Sequence, residues 1–170
     1  MGHLKVVEML LAVDGIEVNR ADNEETTPLF MACQNDHSKV VRMLLAVDGI
    51  QVNQANNKDV TPLFKACQKG HLKVVNMLLA VDGIQVNQSN NNGFTPLHPA
   101  CAQGHSKIVK MMLAVEDIQV NQASNEEVTP LYMACQNGHL KVVNMLLAVD
   151  GIEVNQTANR GHGWAPLNVA

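Results

Sequence analysis

Four cysteines and seven histidines carry the most reactive side chains of this chain. Thiolate and imidazole groups bind zinc, and both can act as nucleophiles or bases in catalysis. The four cysteines recur at a constant spacing of 34 residues, and five of the histidines recur at the same spacing. These residues are Cys33, Cys67, Cys101 and Cys135, and His3, His37, His71, His105 and His139. Their chemistry therefore depends on whether a fold with this period can bring them together.

The constant spacing argues against a shared metal site or a disulfide. Residues one period apart take equivalent positions in neighbouring layers, and packed helices lie about 8–10 Å apart. A disulfide needs Cα atoms within about 7 Å, and zinc ligands lie about 2 Å from one point. We interpret the cysteines as buried apolar residues in a reducing compartment. The local group of His98, Cys101 and His105 offers too few ligands for zinc, so we predict a structural role for it too.

The same period predicts the helices that position these residues. Each unit contains Thr-Pro, which supplies an N-cap oxygen followed by proline at the first helical position. A second helix follows, as at 71–80, where Leu72, Val75 and Leu78 share one apolar face. Asp-Gly then places a residue tolerant of positive φ just past most of the second helices. The sequence predicts helix pairs near 28–46, 62–80, 96–114 and 130–148, and a loop at 157–163 that is two residues longer than its counterparts.

Segments of this period resemble the ankyrin repeat, for example NNGFTPLHPACAQGHSKIVKMML at 91–113 and its relatives at 57–79 and 125–147. The resemblance covers all 170 residues. It implies an all-α solenoid of stacked helix-turn-helix units with short β-hairpin loops at a concave edge. It also implies a single repeat domain over 1–170, and we expect the chain to be a segment of a longer array. The expected divisions are a half repeat at 1–23, full repeats at about 24–57, 58–91, 92–125 and 126–161, and a partial repeat at 162–170.

The asparagines at 34-residue spacing are Asn19, Asn53, Asn87, Asn121 and Asn155. We predict that they tie each hairpin together through bonds between side chain and backbone. The resemblance makes three of them, Asn53, Asn87 and Asn121, candidate sites of hydroxylation. It also implies that the histidines at the turns between helices bond nearby backbone. After Thr-Pro-Leu, where the family usually has histidine, this chain has Phe30, Phe64, His98, Tyr132 and Asn168.

Positions that differ between the repeats are free of the stacking constraint, so we predict that a protein partner contacts them. They lie at the hairpin tips and in the first helices, on the face that the resemblance makes concave. Acidic tips favour a basic partner, mainly through the association rate. Alternatively, the aromatic residues fill the core between repeats. The candidates are Glu24, Glu25, Phe30, Lys58, Asp59, Phe64, Lys65, Asn92, Phe94, His98, Glu126, Glu127 and Tyr132.

Composition and motifs exclude several other classes of function. A net charge of −4 disfavours binding to nucleic acid. The sequence contains no run of 18 apolar residues, which a membrane-spanning helix would need. The chain shows no secretion signal, no nucleophile triad and no phosphate-binding glycine loop. We therefore expect a soluble, cytoplasmic monomer that is not an enzyme and needs no cofactor. The predicted function is a protein-interaction module, and the alternative is a structural spacer for an activity that lies in another domain.

Overall fold

The structure is a computed structural model that describes residues 3–158 and 163–170. In these ranges the chain forms ten helices and no strand, and the only β pairing is an isolated antiparallel bridge between Ala158 and Trp164. Contacts between Cα atoms divide the chain into two compact units, Met1–Gln85 and Val86–Ala170. The all-α prediction is therefore confirmed, and the described loops are tight turns rather than paired strands.

The first unit contains one unpaired helix and two helix pairs. The unpaired helix is α1 (Leu4–Leu11), and the pairs are α2 (Pro28–Gln34) with α3 (Ser38–Leu45) and α4 (Pro62–Lys69) with α5 (Leu72–Leu79). The first helices α2 and α4 pack on each other, and so do the second helices α3 and α5. Each pair therefore forms one layer of a two-layer stack, which matches the period of the sequence.

The second unit repeats this arrangement and ends in an unpaired first helix. Its pairs are α6 (Leu97–Ala102) with α7 (Ser106–Met112) and α8 (Pro130–Gln136) with α9 (Leu140–Leu147), and its last helix is α10 (Pro166–Val169). Helix α8 packs against both α6 and α10. The longer loop that the sequence predicts at 157–163 lies mostly outside the described residues.

Threonine caps fix where the first helices begin. The Oγ1 atom of Thr27 accepts from the backbone N–H of Phe30 at 3.1 Å, and Thr61 and Thr129 make the same bond with Phe64 and Tyr132. Proline follows each of these threonines at the first helical position. Because both signals are local, the sequence placed these helix starts correctly.

Helix α6 begins one residue later than the sequence predicts, at Leu97 instead of Pro96. In α4 the N–H of Lys65 donates to the carbonyl of Thr61 at 3.0 Å. The counterpart of Lys65 is Pro99, which has no N–H to donate. The N–H of His98 donates to the Thr95 carbonyl instead, at 3.1 Å, so the first turn of α6 tightens.

Candidate protein-binding surface

Each loop between repeats is held by one short polar side chain. In the first loop the Oδ1 atom of Asp22 accepts from the N–H groups of Glu24 and Thr26, both at 2.9 Å. The backbone of the same loop closes with a bond from Asp22 N–H to the Thr26 carbonyl at 3.1 Å. The Thr26 bond is also the main reason why the pKa of Asp22 lies below its usual value. The equivalent residues in the other loops are Asn56, Asn90 and Ser124.

This anchoring role was not predicted from the sequence, although the signal was present. Aspartate, asparagine and serine all carry a short oxygen acceptor that can bond backbone two residues on. Their recurrence at the 34-residue spacing, immediately before the variable residues, would have identified the anchor.

The loop tips of neighbouring repeats touch within each unit. In the first unit the N–H of Asn57 donates to the carbonyl of Glu24 at 3.1 Å. In the second unit Asn125 donates twice, from its backbone N–H to Asn92 O at 3.0 Å and from Nδ2 to Asn91 O at 2.9 Å. The side chains at these tips are thus presented from backbone that is fixed by hydrogen bonds.

The predicted contact residues at the tips are exposed, and they form one group in each unit. In the first unit these are Glu24, Glu25, Lys58 and Asp59, and in the second they are Asn92, Glu126 and Glu127. We call the two groups the loop-tip surfaces. The first surface carries both signs of charge, whereas the second is acidic.

Two other predicted contact residues, Lys65 and Phe94, are half-buried. Lys65 donates from Nζ to Gln68 Oε1 at 3.0 Å, and partial burial, followed by repulsion from Lys69 and Lys58, lowers its pKa. Phe94 packs edge-to-face against His98, with ring centroids 5.2 Å apart. Both side chains therefore already make contacts within the chain, and only part of each is exposed for a partner.

The remaining predicted contact residues, Phe30, Phe64, His98 and Tyr132, are buried. Tyr132, for example, packs in a cluster with Val128 and Ala158 in the second unit. A partner that leaves the fold intact cannot reach these side chains. Of the two roles that the sequence left open for the aromatic residues, burial supports packing between repeats.

His98 is held by hydrogen bonds at both ring nitrogens. Its Nδ1 atom accepts from the Thr95 N–H at 3.0 Å, which leaves the proton on Nε2, and Nε2 donates to the Val128 carbonyl at 3.0 Å. Burial lowers the pKa of His98 to about 4, although the backbone bonds partly oppose this effect. With both nitrogens occupied, His98 serves structure and is not a metal ligand in this fold.

The asparagine column links consecutive repeats rather than closing its own hairpin as predicted. The Nδ2 atom of Asn53 donates to the Gly83 carbonyl at 2.8 Å, and its Oδ1 accepts from the Gln85 N–H at 2.9 Å. Asn19, Asn87 and Asn121 make the same pair of bonds to the turn of the following repeat. Hydroxylation at Asn53, Asn87 and Asn121 stays a prediction.

The repeated pattern of caps, anchors and cross-repeat asparagines agrees with a direct comparison. A family model described as ankyrin repeats in three copies matches residues 1–90 and 80–158. The chain belongs to the ankyrin repeat family. A search of curated proteins found no match. Ankyrin repeats are in general non-catalytic modules for binding other proteins.

The turn histidines of these ankyrin repeats bond backbone of the preceding repeat. His71 Nε2 lies 3.0 Å from the Gln34 carbonyl, and His139 Nε2 lies 2.9 Å from the Ala102 carbonyl. The sequence predicted bonds to nearby backbone, and the structure shows that the acceptor lies 37 residues away. These bonds, like those of the asparagines, hold one ankyrin repeat on the next.

The cysteines of the ankyrin repeats occupy packing positions. Cys33, Cys67 and Cys101 are buried and Cys135 is half-buried. Burial raises the pKa of Cys33 to about 12 and also raises the pKa of Cys67 and Cys135, which suppresses the reactive thiolate. Among the described residues, no three His, Cys, Asp or Glu side chains form a group that could hold a metal ion. The described helices likewise lack the length and apolar character of a membrane span.

Proposed function

We propose that this ankyrin-repeat chain binds a partner protein through its two loop-tip surfaces and has no catalytic activity of its own. The observation that supports the proposal is that structural roles and exposed surface fall on different positions of the repeat. Side chains at recurring positions cap three of the first helices, anchor the loops or link repeats, whereas the tip side chains that differ between repeats are exposed on fixed backbone. A preformed surface loses little conformational entropy on binding.

Charge at the tips defines the chemistry of the partner. Glu126 and Glu127 make the second loop-tip surface acidic, so it favours a partner with a basic patch. The first surface adds Lys58 beside Asp59, which restricts a partner to one pattern of charges. Charges at an exposed rim act mainly on the association rate and on its dependence on salt.

A capture experiment with matched variants tests this proposal. The tip variant carries Glu24→Gln, Glu25→Gln, Glu126→Gln and Glu127→Gln. The control carries the same change of net charge at exposed positions outside the tips, namely Glu8→Gln, Glu17→Gln, Glu116→Gln and Glu153→Gln. Circular dichroism first establishes that both variants fold like the unchanged chain.

We expect the unchanged chain and the control to retain the same protein from a cell extract at low salt, and the tip variant to lose it. The association rate of that protein should fall by about tenfold or more with the tip variant alone. Equal retention by both variants would exclude the loop tips as the contact. If nothing specific is retained by any form, the spacer function is favoured. The near-identity of the helix pairs at 62–80 and 130–148 suits either function.

A further inference from the structure

Three lysines of the first unit have no basic counterpart in the other full repeats. Lys58 lies at a loop tip, and Lys65 and Lys69 lie on α4. We call these three residues the lysine cluster. Their counterparts are Glu24, Asn92 and Glu126 for Lys58, Met31, Pro99 and Met133 for Lys65, and Asn35, Gln103 and Asn137 for Lys69. Because these positions vary while the linking residues recur, stacking of the repeats does not require lysine at any of them.

The lysine cluster follows α4 from the loop tip to the end of the helix. Lys65 and Lys69 are four residues apart, so they are neighbours on one face of α4. A rise of about 1.5 Å per residue separates them by about 6 Å along the helix axis. Lys58 lies in the loop that leads into α4, and its backbone N–H donates to Asn56 Oδ1 at 3.1 Å. Each of the three charges is therefore carried on ordered backbone.

Lys65 is the member of the cluster whose side chain the fold holds in place. It is half-buried, and its Nζ atom donates to Gln68 Oε1 at 3.0 Å. An ammonium group has three donors, so this bond leaves two of them for a ligand. Partial burial lowers the pKa of Lys65, and the charges of Lys69 and Lys58 lower it further, which shows that the three lysines repel one another. A side chain that is already ordered loses little entropy when it binds.

Carboxylates of the chain do not neutralise the lysine cluster. In the described ranges 3–158 and 163–170, the ion pair that forms joins Arg20 and Glu17, and none of the three lysines takes part in one. Like charges four residues apart also destabilise a helix. A cation in the last turn of a helix is favourable, which could explain Lys69, but α2 and α8 form without a basic residue there. Stability of the fold therefore does not explain the cluster.

We propose that the lysine cluster binds an extended acidic segment of the partner protein, with carboxylates at alternate residues. Alternate side chains of an extended segment point to the same side and lie about 6.6–6.8 Å apart, close to the axial spacing of Lys65 and Lys69. A single phosphate group would need charges that converge on one point, whereas these are spread along α4. The inference rests on the proposed function, because the segment belongs to the protein that the loop tips bind and Lys58 is part of both surfaces.

A synthetic peptide tests the lysine cluster without the partner protein. The probe is a fluorescent peptide in which glutamate alternates with threonine, and the control peptide has glutamine in place of each glutamate. Fluorescence anisotropy at low salt gives the dissociation constants. We expect the glutamate peptide to bind at least about tenfold more tightly than the glutamine peptide, and its affinity to fall as salt rises. Equal binding of the two peptides would overturn the proposal.

Matched variants separate the cluster from the net charge of the chain. The cluster variant carries Lys58→Asn, Lys65→Met and Lys69→Asn, which are residues found at these positions in other repeats. The control carries the same change of net charge at exposed positions on the second helices, namely Lys39→Gln, Lys73→Gln and Lys107→Gln. Circular dichroism first establishes that both variants fold.

We expect the cluster variant to raise the dissociation constant of the glutamate peptide at least about tenfold, and the control to raise it less than about twofold. Equal losses of affinity in the two variants, or unchanged binding by the cluster variant, would overturn the proposal. If the cluster variant does not fold, Lys69→Asn alone changes an exposed residue at the end of α4 and should raise the constant about threefold.

Inorganic phosphate distinguishes a carboxylate site from a phosphate site. At matched ionic strength, phosphate should displace the glutamate peptide no better than chloride does. Displacement at a lower concentration of phosphate than of chloride would identify a phosphate site and overturn the proposal.

The tip variant used for partner capture shows which proposal fails. It keeps all three lysines and loses the carboxylates of Glu24 and Glu25, so it should bind the glutamate peptide at least as tightly as the unchanged chain. Capture by the tip variant with peptide binding intact would contradict the loop-tip proposal alone. Loss of partner capture by the tip variant, together with no difference in peptide binding between the cluster variant and its control, would contradict the lysine-cluster proposal alone.

Discussion

At the scale of single residues, one position of the repeat holds side chains that are stabilised in different ways. Phe30, Phe64 and Tyr132 bury an aromatic ring at this position, whereas His98 buries an imidazole that bonds both Thr95 and Val128. An aromatic ring gains from burial alone, but the imidazole is stable there only while it is neutral and fully bonded. Stability of the repeat that contains His98 therefore depends on pH.

We predict that His98 makes the protein less stable as the pH falls from about 6.5 to 4. The unfolded histidine takes up a proton near 6.5, whereas the pKa of the folded one is about 4, so the unfolded state binds more protons between these values. The contribution of His98 is present above pH 6.5, and its loss amounts to about 3 kcal/mol by pH 4. Urea unfolding measured from pH 7 to pH 4 gives the free energy.

His98→Phe is the matched control, because Phe30 and Phe64 occupy the same position in other repeats. All other titratable residues are the same in both proteins, so the difference between their pH profiles isolates His98. Parallel profiles would contradict the prediction, because they would mean that the pKa of His98 is the same in the folded and unfolded states.

The cross-repeat asparagines give a second prediction for single residues. Asn53→Ala removes the bonds to Gly83 and Gln85, so we expect a loss of about 1–3 kcal/mol in the free energy of unfolding. Asn155→Ala changes the same residue type in the same column, but among the described residues Asn155 makes no bond to another repeat. Measured on dilute protein by urea unfolding, its effect should be close to zero. Equal losses of unfolding free energy in Asn53→Ala and Asn155→Ala would show that the bonds between repeats do not cause the loss.

At the scale of elements, the loops combine tight anchoring with left-handed backbone. The last tip residue has positive φ in each loop, with values of 60° at Glu25, 54° at Asp59, 79° at Gly93 and 60° at Glu127. Residues with a Cβ atom are strained in this conformation. Only Gly93 avoids the strain, and a Cβ atom at Gly93 would also lie 2.6 Å from Asn125 Oδ1 and 2.7 Å from Asn125 N.

We predict that Gly93→Ala costs about 2–4 kcal/mol of stability, because it adds left-handed strain and a clash with the neighbouring loop. Gly49→Ala is the control, since Gly49 has nearly the same φ of 77° but nothing within 4 Å of its Cβ position. That change should cost only about 1–2 kcal/mol. Thermal unfolding measures the loss of stability in the two variants. An equal loss would show that the loop of Asn125 moves away from Gly93 without cost.

At the scale of the whole molecule, stability in repeat arrays is a sum of repeat terms and neighbour terms. The end helices have few neighbours. Helix α1 has no buried residue and α10 buries only Pro166, whereas α5 buries Val74, Val75 and Leu78. Local opening requires little free energy where few apolar contacts are lost.

Hydrogen exchange should therefore be fastest at the two ends of dilute protein. We predict low protection in α1 and α10 and high protection in α5 and α7, measured by mass spectrometry on peptides. Uniform protection along the chain would contradict this account of stability.

The sequence by itself determined the helices, their order and the repeat family. Thr-Pro caps, turn glycines and a 34-residue spacing act through neighbours in the chain, so they can be recognised without coordinates. Only the tertiary structure decided what each recurring side chain touches. Asn53 bonds atoms 30 and 32 residues away, and Phe64 faces the core rather than a partner. A period shows that positions are equivalent, but packing between layers sets which atoms meet and which faces stay uncovered.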